Sequence, residues 1–165
     1  MGVSARFALP LLAAGQAQKE VVHNEAVQLL DLVVAAAVQE GARTEAPDAP
    51  QVGATYIVGA GATGAWAGQD QCLAGYTAGG WRYIVPQDGM LAYVVSSSVW
   101  AVFRAGAWEI GAIRGESLLV GGEQVVGARA PAIPEPSGGS TVDSEARATV
   151  AQVLAALRAH GLIEA

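Results

Sequence analysis

The hydrophobic pattern changes its period twice along these 165 residues, so the chain can be neither all helix nor all sheet. From about residue 14 to 41 the spacing is helical. Val22, Ala26, Leu29, Leu30, Val33 and Ala37 share one stripe, and Glu20, Asn24, Gln28 and Asp31 share another. Gly41 is the expected stop. From Gly53 to about Ala128 the period is two, with glycines between short apolar runs. Strands are expected at 55–58, 81–85, 91–95, 99–104 and 107–110, with a weaker one at 117–120. Helical spacing then returns in Ala146, Val150, Val153, Leu154 and Leu157. Ser140 or Thr141 can cap this helix, and Asp143 and Glu145 suit its positive first turn. Gly161 should end it, with Leu162 folding back on Leu157 in a Schellman motif.

Prolines mark the joints. Ala46-Pro47-Asp48-Ala49-Pro50 fits no helix interior, and residues 130–139 carry three prolines followed by two glycines. The expected organisation is an N-terminal segment and helix over 1–45, a β domain over 46–129, a linker over 130–139 and a C-terminal helix over 140–165. The fold class is α+β, with the strands forming a small antiparallel sandwich or partly closed barrel. A weak repeat lies inside the β region. Tyr76-Thr77-Ala78-Gly79-Gly80-Trp81 matches Phe103-Arg104-Ala105-Gly106-Ala107-Trp108, which implies two hairpins of one type, each with a tryptophan just past its turn.

Composition removes many functions. A net charge of -6 with a single lysine offers a phosphate backbone little counterion release, so nucleic acid is not an expected partner. One cysteine and two histidines exclude a disulfide framework and multi-cysteine or histidine-rich metal sites, so neither metal nor cofactor is expected. Only 15% of residues are charged, and such a surface is easier to explain if other subunits cover much of it. The N-terminus imitates a secretory signal, but its apolar run is short, is broken by Pro10 and follows a lone Arg6. No signal peptide and no membrane insertion are expected.

No catalytic constellation emerges. His23 sits on a polar helix face, His160 suits a helix C-terminus, and Cys72 has no cationic neighbour to activate it. Asp70 with Glu109 is the carboxylate pair to consider for a glycan hydrolase, although Asp70 and Asp88 lie in glycine-flanked turns. The stretch Val58-Gly59-Ala60-Gly61-Ala62-Thr63-Gly64 lacks the lysine of a P-loop and reads as a plain loop. The four tryptophans all fall in the β region. Trp81 and Trp108 are expected in the core. Trp66, in a glycine-rich loop with no strand to bury it, is the candidate ligand or interface residue.

One run is more particular. Leu9-Pro10-Leu11-Leu12-Ala13-Ala14-Gly15-Gln16-Ala17-Gln18-Lys19-Glu20-Val21-Val22-His23-Asn24-Glu25-Ala26 resembles the signature of an uncharacterised domain family that occurs in phage-type tail fibres and in spike proteins of gene transfer agents. Tyr56-Ile57-Val58, the loop at 61–68, Gly79-Gly80-Trp81-Arg82 and Gly106-Ala107-Trp108 extend the likeness over roughly residues 5–112, and Val22 stands where a threonine is expected. The resemblance implies a structural protein of a phage-like particle, with no catalytic residues to carry over.

The leading expectation is therefore a spike or fibre subunit that supports attachment to the host cell surface. It would assemble in the cytoplasm as a homo-oligomer, fivefold on a capsid vertex or threefold in a fibre, beside other capsid or tail proteins. Val22, Ala26, Leu29 and Leu30 would face a neighbour, as would Val150, Val153, Leu154 and Leu157 once the linker frees the last helix. The polar groups Gln16, Gln18, Lys19, His23, Asn24 and Glu25 would dock on the same partner. The competing expectation is a module that recognises cell-surface polysaccharide by aromatic stacking.

Overall fold

The computed structural model describes residues 2–15, 18–141 and 143–164. Gln16 therefore lies outside the described residues. The chain forms two compact units, Met1–Ile113 and Arg114–Ala165, so residues expected to close the β domain (114–129) fall in the second unit.

The first unit opens with α1 (Lys19–Val33). This helix is far shorter than the 14–41 stretch expected, and Gly41 does not end it. Two causes are visible. Ala35 adopts a left-handed φ of 44°, and the alanines beyond it enter β1 (Ala37–Val38), which pairs in parallel with β5 (Leu91–Val94). Tertiary pairing overrides the helix propensity of an alanine run.

The remaining strands follow the glycine punctuation. β2 (Thr55–Ile57), β3 (Leu73–Thr77) and β4 (Gly80–Ile84) form a three-stranded antiparallel sheet. A four-stranded sheet runs β1-β5-β6-β7, with β6 (Val99–Arg104) and β7 (Ala107–Ile110) antiparallel to their neighbours. The sheets do not close into a barrel, and the parallel β1–β5 pair departs from the all-antiparallel expectation. They share one core: Val38, Ala92, Val94 and Ala101 meet Ile57 and Leu73. The opposite face of the three-stranded sheet carries a second cluster of Tyr56, Val58, Ala74 and Trp66.

The repeat is visible as two hairpins, β3–β4 and β6–β7, each with two residues between its last paired positions. In each, an aromatic pair faces across the strands edge to face, Tyr76 with Trp81 at 5.0 Å and Phe103 with Trp108 at 5.4 Å. Their turns differ. Ala105 and Gly106 both take positive φ, as the right-handed twist of a tight hairpin favours, whereas in the first hairpin Gly80 carries the positive φ. Trp81 and Trp108 each pack against a core cluster, as expected.

α1 is fastened by its polar side. The Asp31 carboxylate is 2% exposed and accepts hydrogen bonds from Ser4 Oγ at 2.7 Å and from the amide N–H groups of Arg6 and Phe7, both at 2.8 Å. The Arg6 guanidinium donates to the carbonyls of Asp31, Leu32, Val34 and Ala35, where the helix C-terminus would otherwise leave acceptors unmet. Asn24 exchanges two hydrogen bonds with the backbone of Leu12, and Glu25 pairs with Arg82 of β4 at 2.5 Å. Leu32 then settles over Gly75 of β3, where a Cβ would run into the leucine side chain.

The second unit holds the hairpin β8 (Leu118–Val120) and β9 (Glu123–Val126), followed by α2 (Ser144–Ala159). Asp143 caps α2 by accepting from the Ala146 amide at 2.8 Å, in place of Ser140 or Thr141. The C-terminus is the expected Schellman motif: Leu162 N–H reaches Leu157 O at 3.0 Å, Gly161 N–H reaches Arg158 O at 2.9 Å, and Gly161 has a φ of 69°. The proline-rich segment is not a free linker. Ala130 pairs with Ile163, Arg158 donates to Ile133 O, and Arg147 donates to Gly138 O, so the segment lies along α2.

Burial alone would raise the Asp31 pKa, but the hydrogen bonds from Ser4, Arg6 and Phe7 and the Arg6 charge outweigh it and hold the carboxyl below its ordinary value. A carboxyl depressed by folding adds stability that is complete above the unfolded pKa of about 4 and fades as pH falls through the lower folded value. Asp31→Asn should cost about 2 kcal/mol at neutral pH, because one amide nitrogen replaces an acceptor of buried donors. In urea unfolding the gap between variant and wild type should narrow steadily below pH ~4; a constant gap would contradict this account.

Candidate functional site

Trp66 is not a surface residue. Its exposure is 0%, and its ring packs against Tyr56 at 5.6 Å and Trp81 at 5.1 Å. The glycine-rich loop that carries it is pinned over the three-stranded sheet. The Asp70 carboxylate accepts from Gly61 N–H at 2.8 Å and Ala62 N–H at 3.0 Å, and Tyr83 Oη donates to Ala65 O at 2.6 Å. Those two backbone donors hold the Asp70 pKa below its ordinary value. A short 3-10 turn at Gly64–Trp66 then turns the indole downward. The signal for this burial is present in Tyr56-Ile57-Val58. Three consecutive apolar residues on a strand need cover on both faces, and Trp66 is the large side chain of the loop that follows.

Asp70 is therefore spent on the loop, and Glu109 forms an ion pair with Arg104 at 3.3 Å. Cys72 is buried, and burial first, then the Asp70 charge, raises its thiol pKa, which leaves it a poor nucleophile. His23 and His160 are exposed. No helix among the described residues is long and apolar enough to cross a membrane.

The surfaces that stand out are apolar. On α1 the polar stripe faces the chain's own residues 2–12 and β4, and much of the apolar stripe is exposed. Val22 is 72% exposed and Leu30 53%, Ala26 is also exposed, and Leu29 is half-buried. With Val33, Tyr83 and Ile84, three of these residues line an open apolar groove. Of the polar groups expected to dock on a partner, Asn24 holds Leu12 and Glu25 holds Arg82, whereas Gln18, Lys19 and His23 are exposed.

The second unit is barer still. Leu118, Leu119, Val120, Val125 and Val126 are all exposed, so both faces of the β8–β9 hairpin are apolar and open. On α2, Val150 and Val153 are exposed, whereas Leu154 is buried and Leu157 half-buried within the chain. The two valines thus lie on the outer side of α2 and the two leucines on its inner side. Trp100 is the most exposed of the tryptophans, 49% exposed on β6 and edge to face with Tyr93 at 5.3 Å. Periodicity cannot reveal this, because residues 99–103 are apolar throughout.

Residues 23–109, just over half of the chain, match the family described as Protein of unknown function (DUF2793). The chain belongs to that family. The match runs from within α1 to β7, so it takes in both hairpins and the Trp66 loop, and the second unit lies beyond it. No curated protein matches the chain.

Core and surface assignments separate by mutation. Trp66→Ala should destabilise the fold by about 3–5 kcal/mol, as emptying a buried aromatic site does. Trp100→Ala should change stability by no more than about 1 kcal/mol. Denaturant melts of the two variants, read by circular dichroism, check the pair, and the reverse order would refute the packing described.

Proposed function

We propose that the chain is a structural subunit of a spike or fibre on a phage-like particle of the gene transfer agent type, where it supports attachment to the host cell. The observation that carries this reading is the inverted α1. A helix that turns its polar stripe inward and its apolar stripe outward implies that another chain covers the apolar one. The second unit supports the same reading. A two-stranded hairpin with apolar side chains on both faces is marginal by itself and is stabilised by packing on further strands or helices. The particle setting rests on the resemblance of residues 9–26 to the signature of spike and fibre proteins.

The subunits assemble by closed symmetry, fivefold at a capsid vertex or threefold in a fibre, with other particle proteins at the base. The α1 stripe and the open β8–β9 hairpin provide separate contact surfaces. Val22→Asp with Leu30→Asp in the full chain should reduce the assembly to smaller species, down to the 16.7 kDa monomer if α1 alone holds it. A charge buried at an interface without a partner costs about 3–5 kcal/mol, enough to dissociate most contacts. Light scattering on the purified protein reads the mass, and an unchanged mass would remove α1 from the interface.

A second reading, recognition of cell-surface polysaccharide by aromatic stacking, is favoured by the exposed Trp100 ring, in place of Trp66. Trp100→Ala should then weaken adsorption of particles to cells while leaving subunit mass unchanged. Undiminished adsorption would end that reading.

A further inference from the structure

A cleft of about 610 Å³ opens between residues 45–50 and the three-stranded sheet, outside the apolar surfaces described above. Its aromatic wall is Trp81 with Tyr76, both half-buried. Its other side presents the exposed carboxylates of Glu45 and Asp48 and the hydroxyl of Thr63. Among the described residues lining it there is no lysine, arginine or histidine. The two arginines nearest in sequence are both engaged: Arg82, beside Trp81, pairs with Glu25 and donates to the carbonyls of Gly79 and Trp81, and Arg43 is turned to Glu40 Oε1 and to the backbone carbonyl of Glu45, each at 2.6 Å.

The walls are fixed in place. Thr63 N–H bonds Thr44 O at 2.9 Å, Thr63 Oγ1 donates to Glu45 Oε1 at 3.4 Å, and Trp66 backs the Trp81 ring edge-on. A cleft held this way needs little ordering when a ligand enters. It offers two negative charges, aromatic rings and few donors. That set repels anions and suits a group that brings its own positive charge and its own N–H donors or methyl groups.

We infer that the cleft bounded by Glu45, Asp48, Tyr76 and Trp81 binds an ammonium group, held by the two carboxylates against the aromatic wall. The ammonium can belong to an amino sugar or to a choline-type headgroup, and the charge chemistry is shared. The inference goes beyond the assembly reading and does not depend on it, because none of the cleft residues belongs to the α1 stripe or the second unit.

The full-length protein should be titrated with glucosamine hydrochloride and with choline chloride, while the Trp81 indole N–H is followed by NMR. N-acetylglucosamine serves as the neutral counterpart. A saturable shift with either cation and none with N-acetylglucosamine at the same concentration supports the inference. Glucosamine alone identifies the primary ammonium, and choline alone the quaternary one. Glu45→Gln with Asp48→Asn should weaken that binding about tenfold, since exposed charges each contribute modestly, and should leave the melting temperature unchanged. The inference is overturned if neither cation binds, if N-acetylglucosamine binds as well as glucosamine, or if the double variant binds like wild type.

Discussion

The buried Asp31 carboxylate and the Arg6 guanidinium organise the N-terminal half of the first unit. Residues 4–7 supply three donors to one carboxylate, and the same segment returns an arginine to four carbonyls at the end of α1. A charged group so deeply placed persists only with near-complete hydrogen bonding, which this arrangement provides. Because the latch closes from the polar side, α1 leaves much of its apolar stripe exposed, and the edge of that stripe forms an open groove with Tyr83 and Ile84 of β4. Contact with the sheet then narrows to a few points, the Leu32–Gly75 fit and the Glu25–Arg82 pair. The position of β1 follows as well, because the chain leaves the helix at Ala35 already aimed at β5.

Much of the β architecture is legible in the sequence. Glycine turns between short apolar runs locate β2 and β4–β7, and the repeated aromatic–turn–tryptophan pattern marks the two matching hairpins. β1 is hidden, because residues 34–38 are alanine and valine with helical spacing, and only pairing with β5 makes two of them a strand. The orientation of α1 is hidden for another reason. An aspartate on a polar stripe looks the same whether water or a distant backbone satisfies it, and the donors to Asp31 lie 24 to 27 positions earlier. Trp66 shows how a sound rule is overridden. Glycine-rich loops are usually exposed, but Asp70 fastens this one over a strand whose two faces both need cover.

The two units answer different physical demands. The first has a core shared by two sheets and a second cluster under the Trp66 loop, so it can hold its shape alone. The second has a helix with good caps at both ends and a proline-rich segment tied along it, yet Leu154 and Ile163 are its buried large apolar side chains among the described residues. On the proposed reading, neighbouring chains would supply the apolar cover that this unit lacks.

The outward stripe on α1 also sets a problem of timing. Once the latch closes, the folded chain displays valines and leucines to solvent, and a net charge of -6 spread over 165 residues gives only mild mutual repulsion. Under the proposed assembly, subunits made in excess would meet one another first, through the same contacts used in that assembly or through mismatched ones. If the proposed assembly is right, synthesis of this chain is best matched in amount and moment to whatever chains cover it, and the ratio of subunits becomes as decisive for correct assembly as the shape of any one of them.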